Sequence, residues 1–247
     1  MIDETPEERG RLERPVRFLR NRLSPERTLG LHLTIGLIVV VFCAWCFSEI
    51  AEEIGPETQW HAFDQQVTDW FKRSTNPTLT AAAHIISFCG SVAFLAVVSV
   101  GFAIYFLSIR AWNRLLELAL TMLGGSLLNI LLKHFFQRQR PVLENPLVTL
   151  TSFGFPSGHT MGATLLYGLL ALIAARFVRS TSGRTAVFAL AILAITLIGL
   201  TRIYLGAHYL TDVIAAVAAG TAWLVVCWTT AETFRKRQES RARREAA

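Results

Sequence analysis

The chain has 247 residues, 52% of them hydrophobic and only 17% charged, with a mean hydropathy of +0.42. The apolar residues come in long blocks that leave too few polar positions to cover a soluble exterior, which excludes an ordinary soluble domain. The net charge of +6 does not mark a nucleic-acid binder, because the cations gather at the two ends rather than on a face interleaved with aromatic residues.

The N-terminal stretch carries Arg9, Arg11, Arg14, Arg17, Arg20, Arg22 and Arg27 and lacks the layout of a cleavable signal peptide. The apolar block that follows is therefore expected to remain as a first membrane span. A spanning helix needs roughly 20 mainly apolar residues, and the spans read from the sequence are Leu31–Ser48, Ser91–Ile109, Leu115–Phe136, Gly158–Ala175, Thr185–Thr201 and Leu210–Ala231. The third is the least regular, with Glu117 near its start and Lys133 near its end. Residues 78–89 form a short apolar helix leading into the second span.

Between the first two spans, Trp60, Phe63, Val67, Trp70 and Phe71 recur at helical spacing, with Asp64, Gln65, Gln66 and Asp69 on other faces. This is the pattern of an interfacial helix. Capping the bundle and guiding a lipid are equal readings of it. The fold class is all-α: an integral membrane bundle of six transmembrane helices with a short extracytoplasmic interfacial helix. The domains are a basic cytoplasmic tail over 1–30, the membrane domain over 31–232, and a second basic cytoplasmic tail over 233–247.

Orientation follows from the cations, since cytoplasmic loops are enriched in lysine and arginine. The C-terminal tail carries Arg235, Lys236, Arg237, Arg241, Arg243 and Arg244, so both ends are placed in the cytoplasm and an even number of spans is required. Arg110, Arg114, Arg176, Arg179 and Arg184 then fall on the cytoplasmic side, and the acidic first loop falls outside. The other outside loops carry Lys133, Arg138, Arg140 and Arg202 against this preference. Cations placed there need another reason, and binding an anion supplies one. Cys43, Cys46, Cys89 and Cys227 have no zinc-like pairing with histidine and read as packing residues.

Three clusters lie at the outer ends of the expected spans. In the first, Lys133 precedes Arg140-Pro141 by two helical turns, so the two cations share a face if the helix persists, although Pro141 disfavours helix at Arg140. The second is Pro156-Ser157-Gly158-His159, a helix start whose free amides and dipole favour an anion. In the third, Thr201-Arg202 leads to His208 and Asp212, four apart, where a carboxylate can hold one imidazole nitrogen and leave the other as nucleophile or base. Positioned cations, amide donors, two histidines and an orienting carboxylate suit phosphoryl transfer, whose transition state spreads negative charge over three oxygens.

These clusters resemble the type 2 phosphatidic acid phosphatases, a family whose relatives include bacterial lipid phosphatases and vanadium haloperoxidases. The family pattern is K-x6-R-P, P-S-G-H and S-R-x5-H-x3-D, matched here in order and departing only at Thr201, where serine is usual. The resemblance implies that His208 attacks phosphorus to form a phosphohistidine and that Asp212 orients His208. It further implies that His159 protonates the leaving oxygen and later activates water, while Lys133, Arg140, Arg202, Ser157 and Gly158 hold the phosphate. This scheme uses no metal and no cofactor. The expected partners are a lipid phosphate and the bilayer, with no nucleic acid and no expectation for oligomeric state. The expected activity is hydrolysis of a lipid phosphate or pyrophosphate outside the inner membrane, with a lipid phosphotransferase or a non-catalytic transporter or assembly protein as alternatives. Undecaprenyl pyrophosphate, phosphatidylglycerol phosphate, phosphatidic acid and a lipid A phosphate are the candidate substrates. Arg138 is read as either a headgroup contact or a solvated charge, and His134 as a neighbour of the site.

Overall fold

A computed structural model describes residues 28–55, 58–142, 147–148 and 150–245. Most of the basic N-terminal tail, including all seven arginines named above, lies outside these residues, as does Glu144. The described residues are helical, with no strand among them. The helices are α1 (Thr28–Glu52), α2 (Gln59–Arg73), α3 (Pro77–Phe88), α4 (Val92–Ser108), α5 (Trp112–Ala119), α6 (Gly125–Phe136), α7 (Gly158–Ala174), α8 (Thr181–Tyr204) and α9 (Leu210–Glu245).

Five segments are long and apolar enough to cross a membrane: Leu33–Glu52, Pro77–Ser108, Trp112–Phe136, Thr181–Tyr204 and Leu210–Ser240. The apolar helix Gly158–Ala174 falls short of that length. It is nevertheless the most enclosed part of the bundle, with Met161, Leu165, Leu166 and Leu169 at the centre of the core. A helix that is apolar all round belongs inside such an assembly. By contrast Ile38, Val97, Leu123 and Leu190 stand open on the outer surface, where lipid tails rather than water are the compatible solvent.

The chain makes each turn with local chemistry. Asn76 caps α3, accepting the Leu79 N–H at 2.9 Å with Pro77 in the first helical position. Ser91 caps α4 by accepting the Phe94 N–H at 3.2 Å, so the short helix and second span expected from the sequence form with a break between them. Between α5 and α6 the ladder widens into a π-helical turn, Leu120–Gly124. A side chain at Gly124 would meet Trp223 at 2.4 Å and one at Gly125 would meet Leu165 at 2.3 Å, so this glycine pair sets how closely α7 and α9 approach.

The helix carrying Lys133 ends at Phe136, where the third span was expected to end, because Gln137 turns left-handed at φ 48° and returns its N–H to the Lys133 carbonyl at 3.0 Å; Arg140 thus lies in the following loop, as Pro141 led us to expect. The apolar stripe of α2 faces outward. Trp60, Phe63 and Trp70 are exposed, whereas Asp64 and Thr68 are buried beneath them.

Candidate active site

The three sequence clusters meet at one end of the bundle. α8 delivers Arg202, and the chain then reverses over Leu205–Tyr209, with Gly206 at φ 67°, a left-handed conformation that suits glycine. The Ala207 and His208 amides both return to the Arg202 carbonyl, at 3.0 and 3.2 Å. The Ser157 N–H donates to the Asp212 carbonyl at 3.0 Å, docking the start of α7 against the start of α9. Phe155, fully buried between Phe47 and Phe136 at ring separations of 5.5 and 5.1 Å, fixes the loop that precedes it.

His208 is almost wholly enclosed, at 2% exposure. Its Nε2 lies 3.1 Å from Arg140 Nη1. A guanidinium only donates, so Nε2 must be the accepting, unprotonated nitrogen and the ring proton sits on Nδ1. Nδ1 faces Asp212 Oδ2 at 3.4 Å, an ion-pair distance that falls short of hydrogen-bond geometry. Burial pushes the imidazole down to about 4, with Asp212 pulling the other way and the Arg140 and Lys133 charges adding to the fall. The ring is therefore a neutral base with its lone pair presented beside a cation.

Asp212 is the third residue of α9 and accepts the N–H of the capping residue Tyr209 at 2.9 Å, half of a capping box. Its other oxygen accepts from Arg138 Nη1 at 2.6 Å. Arg138 is 7% exposed, so neither reading of it as a headgroup contact or a solvated charge holds: it is buried under Asp64 and Asp212. It donates to Asp64 at 2.8 Å and to the Thr211 hydroxyl at 2.7 Å, and lies 4.6 Å from the Tyr209 ring centre.

The three remaining cations of this end have no carboxylate partner among the described residues. Lys133 donates to the Phe153 carbonyl at 2.5 Å. Arg140 is spread by the Ser152 and Ala207 carbonyls at 2.7 and 2.6 Å, by the Phe153 carbonyl, and by the Ser152 hydroxyl at 3.0 Å. Arg202 donates to Ser87 Oγ at 2.6 Å. Cations held by neutral acceptors keep their full charge for an anion.

Ser157 is the N-cap of α7, but its hydroxyl accepts no backbone N–H of the first turn; it is buried and accepts from the Thr160 hydroxyl at 3.0 Å, which leaves its own proton to donate. A carbon added at Gly158 would stand 3.3 Å from Asn129 Oδ1 and 3.9 Å from Lys133 Cε. The His159 ring has no hydrogen bond to any described residue. The charged groups acting on it are Arg202, His208, Arg140 and Lys133. The eight residues singled out by sequence are thus brought together at one end of the bundle. Asp64, Thr211 and Asn129 were missed and Arg138 was misread; Asn129 carried a signal, lying one turn before Lys133 on the same helix.

An apolar groove of about 440 Å³ runs from this site along α4, α6 and α7. Leu95, Val100, Met122, Ile130 and Leu165 line it, and Asn129 and Gly158 close its upper end.

A sequence model of the PAP2 superfamily matches residues 114–236, a stretch that holds all three clusters. The phosphatidylglycerophosphatase B of Bacillus subtilis strain 168 is 34% identical over 148 residues, 59% of this chain and 70% of that protein. The crystal structure of a transmembrane PAP2-type phosphatidylglycerolphosphate phosphatase from Bacillus subtilis superposes with a TM-score of 0.71 at 28% identity, covering 78% of this chain and 96% of that one. LpxE of Aquifex aeolicus superposes with a TM-score of 0.53 at 25% identity, over 66% of this chain and 93% of its own.

Proposed function

The chain belongs to the PAP2 superfamily and is an integral membrane lipid phosphate hydrolase, and from that premise we propose that His208 is its nucleophile and phosphatidylglycerol phosphate its first candidate substrate. The carrying observation is the His208 imidazole set between Asp212 and Arg140, with Nε2 unprotonated and directed to the cation-lined end. Nε2 attacks phosphorus in line and the bond to the leaving oxygen breaks, giving a phosphohistidine. His159 donates the proton that the departing alkoxide or phosphate takes up, then removes one from the water that cleaves the phosphohistidine. The positive charge gained by the phosphorylated imidazole is balanced by Asp212. Lys133, Arg140, Arg202, the Ser157 hydroxyl and the Gly158 amide hold the three equatorial oxygens, donors positioned before the reaction begins.

The membrane arrangement belongs to the same proposal. Gly158–Ala174 completes a six-span bundle as its sheltered inner helix, both termini are cytoplasmic, and the site opens outside the inner membrane. The exposed Trp60, Phe63 and Trp70 lie in the outer headgroup layer as an interfacial helix. The groove ending at Gly158 takes the lipid tail, which favours a lipid phosphate over a soluble one. The names of the Bacillus subtilis relatives favour phosphatidylglycerol phosphate, with phosphatidic acid, undecaprenyl pyrophosphate and a lipid A phosphate as the comparison substrates.

The test is phosphate release by the detergent-purified chain across these four lipids, with trapping of labelled phosphohistidine by an alkaline dodecyl sulfate quench, which preserves the phosphorus–nitrogen bond. Turnover of phosphatidylglycerol phosphate above the others, with label lost in His208→Ala, is the expected result. Full activity in His208→Ala would overturn the nucleophile, and preference for another lipid would overturn the substrate. Labelled acceptor in place of free phosphate would make the protein a phosphotransferase.

A further inference from the structure

α2 is joined to the nucleophile by an unbroken series of buried charges. Asp64, at 0% exposure, accepts the Thr211 N–H at 3.0 Å, a first-turn amide of α9, and also accepts from the Thr211 hydroxyl. Its second oxygen takes Arg138 Nη2 at 2.8 Å, while Nη1 of the same guanidinium reaches Asp212 at 2.6 Å. Asp212 then faces His208 Nδ1 at 3.4 Å. The geometry points to Asp64 and Arg138 as positioning residues that set the place and charge of Asp212 and, through it, the reactivity of His208. This rests on His208 being the nucleophile.

The charge balance gives each member a distinct part. Arg138 alone beside Asp212 would neutralise that carboxylate and weaken its hold on an imidazole that becomes positive on phosphorylation. Asp64 shares the guanidinium, so Asp212 keeps negative charge for His208 while its oxygen stays fixed. Asp64 also holds the first turn of α9 from outside, as a capping side chain does. Only a planar fork with two parallel donors can bridge the two carboxylates, which a lysine cannot. The series gives α2 a part in the chemistry that its aromatic face does not reveal.

The charged and titratable groups acting on His208 are Asp212 from α9, Arg140 from the loop, Lys133 from α6 and His159 from α7, and Arg202 from α8 acts on His159. α2 contributes Asp64 through Arg138, and His61 against the Tyr209 ring at 5.5 Å. Asp64→Asn deletes a negative charge, so protonated His208 becomes less favourable and the acid limb of kcat/KM moves to lower pH. Arg138→Gln deletes a positive charge and moves it to higher pH.

The experiment uses the full chain in detergent with short-chain phosphatidic acid as probe, and compares wild type, His208→Ala, Asp64→Asn, Arg138→Gln, Arg138→Lys and the Asp64→Asn/Arg138→Gln pair. Each variant of the series is expected to lower kcat about 10- to 100-fold, the usual cost of removing a partner that orients a histidine, with KM within about twofold. Arg138→Lys is not expected to restore kcat. The paired variant removes charges of both signs, so it folds even where Arg138→Gln does not, and its kcat stays low because Asp212 has lost its anchor. Wild-type kcat in Asp64→Asn or in the paired variant overturns the proposal, as does a loss of kcat with no opposite movement of the acid limbs. Phosphate release by wild type and none by His208→Ala tests the nucleophile separately, so the two failures are told apart.

Discussion

The two ends of the bundle both carry buried charge, yet they use it differently. At one end Arg176 pairs with Glu232 and lies 4.2 Å from the Trp228 ring, Arg235 pairs with Glu232 at 2.6 Å, and Arg114 pairs with Glu117 at 2.8 Å. At the other, Lys133, Arg140 and Arg202 are held only by carbonyls, hydroxyls and an imidazole. Asp64 and Asp212 are there, but Arg138 occupies both. Charge neutralised within the protein serves the fold, whereas charge held by neutral donors and acceptors waits for an anion.

Four changes break or sharpen that contrast. The largest effect is expected of His208→Ala, which should reduce phosphate release to background in a malachite-green assay. Arg140→Ala should lower kcat about 100- to 1000-fold, the usual loss when one donor to a developing oxyanion is removed, read by steady-state kinetics with thermal unfolding showing an intact fold. The pH profile comes next. An ordinary histidine loses its nucleophilic lone pair as pH falls through about 6.5, but with the His208 imidazole pushed down to about 4, kcat/KM should hold through pH 5.5 and fall only near 4. A limb near 6.5 would remove His208 from the nucleophile's part. The smallest effect on activity is expected at the opposite end: Glu232→Gln should cost about 1.5–3 kcal/mol of stability, the scale of a hydrogen bond to a charged group, seen as a lower melting temperature in detergent with kcat unchanged. A large loss of kcat in that variant would end the distinction between the two regions.

Much of the site was legible because its parts are local. Ser157-Gly158-His159 opens α7, Asp212 sits in the first turn of α9 while facing a histidine four residues earlier, and Lys133 and Arg140 flank a helix end. Arg138 was visible but misread, since an arginine in an outer loop reads as solvated until its partner is known. Its partner Asp64 lies 74 positions earlier in the chain, on a helix whose regular aromatic spacing drew attention to the opposite face. Helix periodicity says which residues share a face, but not which face meets the protein when the other meets lipid.

The sequence by itself determined the apolar segments, the order of the three clusters and the chemistry they imply, because hydropathy, capping residues and motif spacing act over a few residues. The tertiary structure alone decided that Nε2 is the free nitrogen of His208. It alone decided, too, that Asp64 and Arg138 stand behind Asp212. Each of these depends on groups brought together by helix packing, and buried charges select partners by proximity in space, where removal from water makes pairing obligatory.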